Sequence, residues 1–390
     1  MKIRRRTAAA AALLALLIPA PLLAATTATA TPAAAAQAPA GAPELPAPTG
    51  RFAVGQEDLH LTDRSRTDPW AGTGPRELMV TLRYPAQGGT GRAPAPYLST
   101  EEARLLLADR GLDKAIAPAA LAATRSHART GARPVGGRYP LIVLSPGFTV
   151  SRATLTSLAE DLASRGYVVA AVDHAYESAG TAFPGGRILT CLACGPADTP
   201  GGHQAVMGVR AKDVSFLLDR LTGRHPAWRH AGLIDTGRIA MGGHSMGGSA
   251  ALSAMAADQR IRAGADLDGG LPAPYPAAGA GGRPFLLFGS AASAPGGGLN
   301  GDWSGAWPYL DGWKRWITVD GTDHFGPTDF PFLRDRFGLS DPTAPLSGSR
   351  AVELTRTYTA AFFDQHLKGK PAPVLDGPRA DAPEVRFHNP

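Results

Sequence analysis

Residues 238–252, RIAMGGHSMGGSAAL, contain the stretch that decides the fold. The middle of it, Gly243-His-Ser-Met-Gly247, matches the pattern glycine-any-serine-any-glycine, with an apolar strand candidate before it and a small-residue helix start after it. A serine at so tight a strand-to-helix turn is backbone-strained, and neighbours with side chains would collide there. The turn lifts the Ser245 hydroxyl above the sheet, near a helix N-terminus that favours developing negative charge. The sequence therefore predicts Ser245 as a nucleophile, against the simpler reading of a glycine-rich turn.

Strands alternate with helices on both sides of this motif. The runs 139–145 (YPLIVLS) and 167–173 (YVVAAVD) are almost continuously apolar, which is typical of strands buried on both faces. Further strand candidates are 76–84, 238–242, 263–268, 283–289 and 315–319, and helix candidates follow a capping box at Ser99 and Glu102 and cover 154–165, 204–221, 246–258 and 350–367. Alternating elements with apolar strands predict an α/β protein with a doubly wound, mostly parallel sheet and helices on both faces.

A serine hydroxyl needs a general base, because it is a poor nucleophile at neutral pH. His324 follows the strand candidate 315–319, and the chain order serine, aspartate, histidine is the one that accompanies this turn. His174 and His203 precede the serine and fit that order poorly, and His244 lies inside the motif itself. We therefore predict His324 as the base and interpret the other three as structural or pocket-lining residues.

The acid that orients the base is predicted at Asp268, which ends the strand candidate 263–268. The loop after the next strand, 290–300, is another place for this acid, but it contains no carboxylate. Asp266 points to the same face and lies deeper, and Asp323 adjoins the histidine and is interpreted as a turn cap. The carboxylate would hold the tautomer of His324 and stabilise the imidazolium that forms.

Two backbone N–H groups are needed to bind the oxyanion of such a reaction. One is expected from Met246, directly after the serine. The other is expected from Phe148, in the turn Ser145-Pro-Gly-Phe-Thr149 that follows an early strand. The alternative is that this segment is an ordinary Pro-Gly turn. Trp303 and Trp307, in a glycine-rich region, are candidates for the rim of an apolar acyl pocket, with simple packing as the alternative.

The N-terminus has the features of an export signal. Lys2 and three arginines at 4–6 precede an apolar stretch up to residue 24 that is interrupted by Pro19 and Pro21, too short and broken to span a bilayer. We predict a signal peptide at 1–24, a disordered leader rich in Ala, Thr and Pro at 25–48, and one catalytic domain at 49–390. The mature protein is thus expected outside the cell, without stable membrane insertion.

Charge and cysteine usage narrow the class of partner. The net charge of +6 falls to +2 without the four N-terminal basic residues (35 Lys and Arg against 33 Asp and Glu), and no basic run follows, which excludes nucleic acid. The only cysteines, Cys191 and Cys194, are predicted to form a disulfide in an exported protein. The alternatives are a redox motif or half of a zinc site, but no further ligands with zinc spacing lie nearby. No metal or cofactor is expected.

Five segments resemble the secreted platelet-activating factor acetylhydrolases and their bacterial lipase-like relatives. They are PLIVLSPGF (140–148), VVAAVDHAYESA (168–179), GGHSMGGSAAL (242–252), DLDGGL (266–271) and GTDHFGPTDF (321–330). The resemblance runs from about residue 46 to 368. It implies an α/β-hydrolase fold and an acid soon after the serine, which matches Asp268. Bacterial cutinases and polyester hydrolases are also similar, but their acid follows the later strand.

One residue departs from the first family. Pro146 stands where many acetylhydrolases have histidine, so that here the chain is more similar to the polyester hydrolases. The sequence accordingly predicts a secreted serine hydrolase that cleaves small-molecule or lipid esters through an acyl-enzyme, with a polyester hydrolase or a peptidase of the same fold as alternatives. A non-catalytic binding protein is the third class, and it would have no need of the strained serine. The oligomeric state stays open.

Overall fold

The computed structural model describes residues 41–277, 279–297 and 303–389. The predicted signal peptide at 1–24 and most of the predicted leader, residues 25–40, lie outside the described residues. The strands are β1 (Ala53–Thr67), β2 (Pro75–Ala86), β3 (Pro94–Pro96), β4 (Arg125–Thr130), β5 (Tyr139–Ser145), β6 (Val168–His174), β7 (Thr181–Phe183), β8 (Arg187–Leu189), β9 (Ile234–His244), β10 (Ile261–Leu267), β11 (Phe285–Ser290), β12 (Lys314–Val319) and β13 (Val385–Phe387). The helices are α1 (Thr100–Asp109), α2 (Pro118–Ala122), α3 (Thr156–Ser164), α4 (Cys194–Ala197), α5 (Gly202–Thr222), α6 (Met246–Ala257), α7 (Trp303–Ala306), α8 (Phe330–Arg336) and α9 (Gly348–Lys368).

Eleven of the described strands form one sheet in the order β13-β12-β11-β10-β9-β5-β6-β2-β1-β4-β3, and β7 pairs with β8 in a separate hairpin. The strands from β6 to β12 in this order are parallel, whereas β2 is antiparallel to both β6 and β1. Because these strands are parallel, the carboxyl ends of β9, β10 and β12 lie on the same side of the molecule. The loops that follow these strand ends bring side chains from distant parts of the chain together.

Helices cover both faces of the sheet. On one face, α5 and α6 pack with residues such as Val214, Leu217 and Met255 in a shared core. On the other face, α3 and α9 contribute Leu158 and Phe362 to a second core. Strands between two layers of helices are buried on both sides, which explains the apolar runs at β5 and β6. The predicted doubly wound α/β-hydrolase architecture is confirmed.

The two ends of the sheet are short. β3 and β13 have three residues each, and β3 begins and ends with proline, at Pro94 and Pro96. Proline has no backbone N–H to give to a further strand. Each edge of the sheet therefore offers few free backbone groups for strand pairing.

The packed part of the chain begins earlier than residue 49. Leu45 is 2% exposed, and its N–H donates to the Arg125 carbonyl at 3.0 Å. Arg356 donates to the carbonyls of Pro46 and Ala47, each at 2.8 Å. Residues 45–47, which fall within the predicted leader 25–48, are thus held by contacts with the packed part of the chain.

Two further local features bear on the sequence predictions. The capping box that begins α1 is present, with the Glu102 N–H donating to Ser99 Oγ and the Ser99 N–H donating to Glu102. A disulfide joins Cys191 to Cys194 at the start of α4.

Among the described residues, the structure contains no helix with both the length and the apolar character needed to cross a membrane.

Candidate active site

Ser245 lies between β9 and α6, in a backbone conformation that serine rarely adopts. Its φ is 53° and its ψ is −124°, and its N–H donates to the Leu267 carbonyl of β10 at 2.9 Å. A non-glycine residue in this region of backbone space costs free energy that the surrounding structure must offset. Backbone strain at a serine in a strand-to-helix turn indicates a functional role for this residue.

The glycines on either side of Ser245 are required by close packing against β5. A Cβ atom on Gly243 would lie 2.4 Å from the Ser145 carbonyl oxygen, and one on Gly247 would lie 2.0 Å from it. Real side chains do not approach a backbone oxygen so closely. Glycine is therefore required at both positions because the turn packs closely against the end of β5.

His324 follows β12 and connects the serine to the acid. Its Nε2 atom lies 2.9 Å from Ser245 Oγ, and its Nδ1 atom lies 2.9 Å from Asp268 Oδ2. The structure thus brings together the three side chains that the sequence named for nucleophile, base and acid. A proton on Nδ1, facing the carboxylate, leaves the lone pair of Nε2 directed at the Ser245 hydroxyl.

The Asp268 carboxylate is buried and supplied with donors. The Ser290 N–H and the Ser293 hydroxyl each donate to Oδ1 at 2.7 Å, which leaves Oδ2 for His324. Neither serine was predicted from the sequence, where this segment stands out only by its lack of carboxylates. The signal for them is a pair of hydroxyl residues at the C-terminal end of β11 and just after it.

Asp266 does not contact the histidine. Its Oδ1 atom accepts the Gly269 N–H at 2.7 Å, and the residue is fully buried. Burial, as the largest cause, raises the pKa of this carboxyl well above its usual range, which favours its neutral form. The bond from the Gly269 N–H closes the turn 266–269, which carries Asp268.

His244 holds the main chain of His324. Its Nε2 atom lies 2.7 Å from the His324 carbonyl oxygen, to which only a protonated Nε2 can donate, and the side chain is fully buried. Burial, followed by the nearby His324 imidazole, lowers the pKa of His244 from 6.5 to about 3. The sequence-based interpretation of His244 as structural agrees with this contact.

We expect the buried His244 to make the fold sensitive to acid. Between about pH 6.5 and pH 3 the unfolded chain binds a proton that the folded chain does not, so the free energy of unfolding falls as the pH falls. His244→Gln removes this titration and keeps an N–H donor for the His324 carbonyl. Melting temperatures measured from pH 7.5 to 4.5 should decline less steeply in the variant than in the wild type. Parallel curves would contradict the assignment.

Phe148 and Met246 border the same cleft as the serine. Neither backbone N–H is engaged in a hydrogen bond within the part of the chain that the structure describes, so both are available to a ligand. The cleft has a volume of about 310 Å³. Its described lining consists of Phe148, His203, Met207, Ser245, Met246, Ser249, Gly270 and Pro272.

The structure also places the other residues that the sequence singled out. His203 lines the cleft. His174 is buried beside Ser145, and its Nε2 atom lies 3.0 Å from Ser145 Oγ. Asp323 caps a turn by accepting the Phe325 N–H at 2.8 Å. Trp303 and Trp307 pack against Trp316 and are absent from the described lining of the cleft. These contacts are those of the packing alternative for the two tryptophans.

No group of three or more His, Cys, Asp or Glu side chains is arranged to hold a metal ion among the described residues.

Comparison with known proteins gives the family. The family model described as "Platelet-activating factor acetylhydrolase, isoform II" matches residues 38–184. A "Probable 1-alkyl-2-acetylglycerophosphocholine esterase" of Arthroderma benhamiae is 30% identical over 376 residues, which cover 88% of this chain and 93% of that protein. The chain belongs to the platelet-activating factor acetylhydrolase family. It is an ester-hydrolysing enzyme with an α/β-hydrolase fold.

Two other proteins that are similar to this acetylhydrolase-family chain carry different enzyme names. The solved structure of a ferulic acid esterase from Streptomyces cinnamoneus is 45% identical, with a TM-score of 0.79, and the match covers 89% of this chain and 100% of that one. A bis(hydroxyethyl) terephthalate hydrolase of Streptomyces coelicolor is 30% identical over 131 residues, or 34% of this chain and 33% of that protein. The resemblance to both acetylhydrolases and polyester hydrolases is confirmed.

Proposed function

We propose that this enzyme is a serine carboxylic-ester hydrolase in which Ser245, His324 and Asp268 form the catalytic triad. The observation that carries the proposal is the pair of 2.9 Å contacts that His324 makes with Ser245 Oγ and Asp268 Oδ2. The strained backbone of Ser245 and its place beside a cleft support it further. A purely binding protein would gain nothing from that strain.

In the first half of the reaction, Ser245 Oγ attacks the ester carbonyl carbon while His324 Nε2 takes the hydroxyl proton. The carbonyl oxygen becomes an oxyanion, to which the Phe148 and Met246 N–H groups donate. The C–O bond to the alcohol then breaks, and the alcohol leaves with the proton from Nε2. The acyl group remains on the serine, and Asp268 stabilises the imidazolium during the transfer.

In the second half, water replaces the alcohol. His324 Nε2 removes a proton from the water, whose oxygen attacks the acyl carbon, and the same N–H groups bind the second oxyanion. Breaking the bond to Oγ releases the carboxylic acid, and the proton on Nε2 returns to the serine. The imidazole thus acts once as base and once as acid in each half.

The cleft favours compact acyl groups. Its volume of about 310 Å³ lies at the lower end of the roughly 300–1,000 Å³ range of ligand pockets. Phe148, Met207 and Met246 offer apolar contacts, and His203 is the one titratable side chain in the described lining. We propose acetyl and other short acyl esters, including acetylated lipids, as the first substrate class. The 45% identity with a ferulic acid esterase makes aromatic acyl esters the second candidate.

Hydrolysis of p-nitrophenyl esters from acetate to palmitate tests the proposal. We expect the highest kcat/KM at the two- to four-carbon esters and a steep fall toward palmitate. Ethyl ferulate and a 1-alkyl-2-acetylglycerophosphocholine, run beside them, separate the two substrate classes, and p-nitroacetanilide tests for amide cleavage. Folded protein that turns over none of the esters would overturn the proposal. A preference for the anilide would favour the peptidase alternative.

We also propose that the enzyme is exported. The predicted signal peptide supports this, as does the disulfide between Cys191 and Cys194, because such bonds persist in oxidising compartments. N-terminal sequencing of the protein recovered from culture medium is the direct test. A mature end between about residues 24 and 43 is expected, whereas a cell-retained chain beginning at Met1 would contradict export.

A further inference from the structure

A pair of fully buried charges lies behind the loop that carries Phe148. Arg210 of α5 and Glu177 after β6 are each 1% exposed, and Arg210 Nε donates to Glu177 Oε2 at 2.7 Å. Burying an ion pair costs desolvation that the mutual attraction offsets only with good geometry and further hydrogen bonds. Apolar residues of similar size would fill this position without the cost of desolvation, so the hydrogen bonds that the two charges make indicate their role.

The pair holds both ends of the segment 146–149. Arg210 Nη1 donates to the Pro146 carbonyl at 2.6 Å, and the Thr149 N–H donates to the Glu177 carbonyl at 2.9 Å. Phe148, with its N–H free among the described residues, lies between these two attachment points. The segment is thus clamped at each end by residues that are bound to each other.

The clamp is itself fixed by a larger buried network. Arg76 Nη2 donates to Glu177 Oε1 at 2.9 Å and to Asp213 Oδ2 at 2.7 Å. His174 joins the same Asp213 oxygen, at 2.8 Å, to the hydroxyl of Ser145, at 3.0 Å. With so many bonds to neighbouring charges, neither Arg210 nor Glu177 can shift independently.

The clamped segment contains a strained residue. Thr149 has a φ of 67°, a region that residues with a branched Cβ rarely occupy. Such a conformation persists only where surrounding contacts over-determine it. Two such contacts are the Thr149 N–H bond to Glu177 and the bond from the Ala179 N–H to the Thr149 carbonyl at 2.8 Å.

We propose that Arg210 and Glu177 are positioning residues that hold the Phe148 N–H where the oxyanion develops. The proposal rests on the proposed function, since it assigns a task within the serine mechanism. An oxyanion donor acts only when it lies about 2.7–3.1 Å from the place that the charged oxygen will occupy. Loosening the clamp should therefore weaken binding of the transition state far more than binding of the ester, and lower kcat with little change in KM.

Arg210→Lys tests this most directly. Lysine keeps a positive charge opposite Glu177, but its single ammonium group cannot reproduce the two directions of the guanidinium fork. We expect kcat for p-nitrophenyl acetate to fall by roughly 10- to 100-fold and KM to stay within about threefold of the wild type. The expected fall in kcat is smaller than that caused by complete loss of an oxyanion donor, because the Phe148 N–H is displaced and not removed. The inhibition constant of phenylboronic acid, whose serine adduct is tetrahedral and anionic, should rise by a similar factor.

Arg66→Lys is the matched control. Arg66 lies at the partly exposed side of the network, donating to Asp63 Oδ2 at 2.5 Å and to Asp213 Oδ1 at 2.8 Å, and among the described residues it makes no hydrogen bond to 146–149. Its kcat and boronic acid inhibition should stay within about twofold of the wild type. If Arg210→Lys does not fold, the uncharged pair Arg210→Met with Glu177→Gln removes the ion pair and the Arg210 bond to the Pro146 carbonyl without leaving a lone buried charge, and the same loss of kcat is expected. The bond from the Thr149 N–H to the main-chain carbonyl of Glu177 remains in this variant.

The outcomes are separable. Folded Arg210→Lys with unchanged kcat and unchanged boronic acid inhibition would overturn the clamp, as would a fall in kcat without a change in that inhibition. An equal loss in Arg66→Lys would also overturn it, because the effect would then belong to the network as a whole. Ester turnover that survives in Ser245→Ala would instead refute the proposed function itself.

Discussion

Replacement of Ser245 by alanine is expected to lower kcat for p-nitrophenyl acetate by on the order of 10⁶-fold. Without Oγ no acyl-enzyme forms, and His324 loses the hydroxyl that lies 2.9 Å from its Nε2 atom. The backbone N–H groups remain and would still assist attack by water, so a small residual rate above the uncatalysed reaction should persist. Initial rates at high enzyme concentration, with the melting temperature as a check of folding, measure the effect.

Ser253→Ala is the control for this substitution. Ser253 lies two turns further along α6 and is not among the described residues that line the cleft. Its kcat should remain within about twofold of the wild type, as is usual for a substitution away from any special contact. A Ser245→Ala protein that keeps more than about 1% of the wild-type rate would assign the nucleophile elsewhere.

Asp268→Asn is expected to lower kcat by about 10⁴-fold while leaving the geometry almost unchanged. The Ser290 N–H and the Ser293 hydroxyl both donate to Oδ1, which fixes the asparagine oxygen at that position. The amide NH₂ then faces His324 Nδ1, to which it donates. This selects the tautomer with its proton on Nε2, which cannot accept the proton of Ser245.

Asp266→Asn separates the two candidate acids. Because burial favours the neutral form of Asp266, an amide of the same shape is the conservative replacement, and its oxygen can still accept the Gly269 N–H. We expect kcat within about tenfold of the wild type. The two variants are compared by kcat/KM for one ester at fixed pH and by melting temperature. The opposite ranking would transfer the role of the acid to Asp266.

The central strands were predictable because local chemistry decides them. The apolar runs at β5 and β6 and the small residues of α6 appear in the sequence as clearly as in the structure. β1 was missed because it reads AVGQEDLHLTDRSRT, with too many charges for a buried strand. Its stability comes from twelve paired positions with β2, which is a tertiary property that no local pattern reveals.

The candidate site shows the same division. Ser245, Asp268 and His324 each follow a strand of the parallel sheet, so the order of elements was enough to propose that they meet. The clamp behind Phe148 was not predictable, since residues such as Arg76, Glu177 and Arg210 are far apart in sequence and their residue types are normally exposed. Only folding shows that these charges neutralise one another inside the protein.

The short edges of the sheet limit how copies of this enzyme can associate. Long, flat edge strands invite the backbone of another molecule to add to them, and this is a common route to aggregation. Here the growth of the sheet stops at β13 on one side and at the proline-flanked β3 on the other. Crowding at high concentration should therefore not extend the eleven-stranded sheet from one molecule to the next, and contacts between copies should form through side chains.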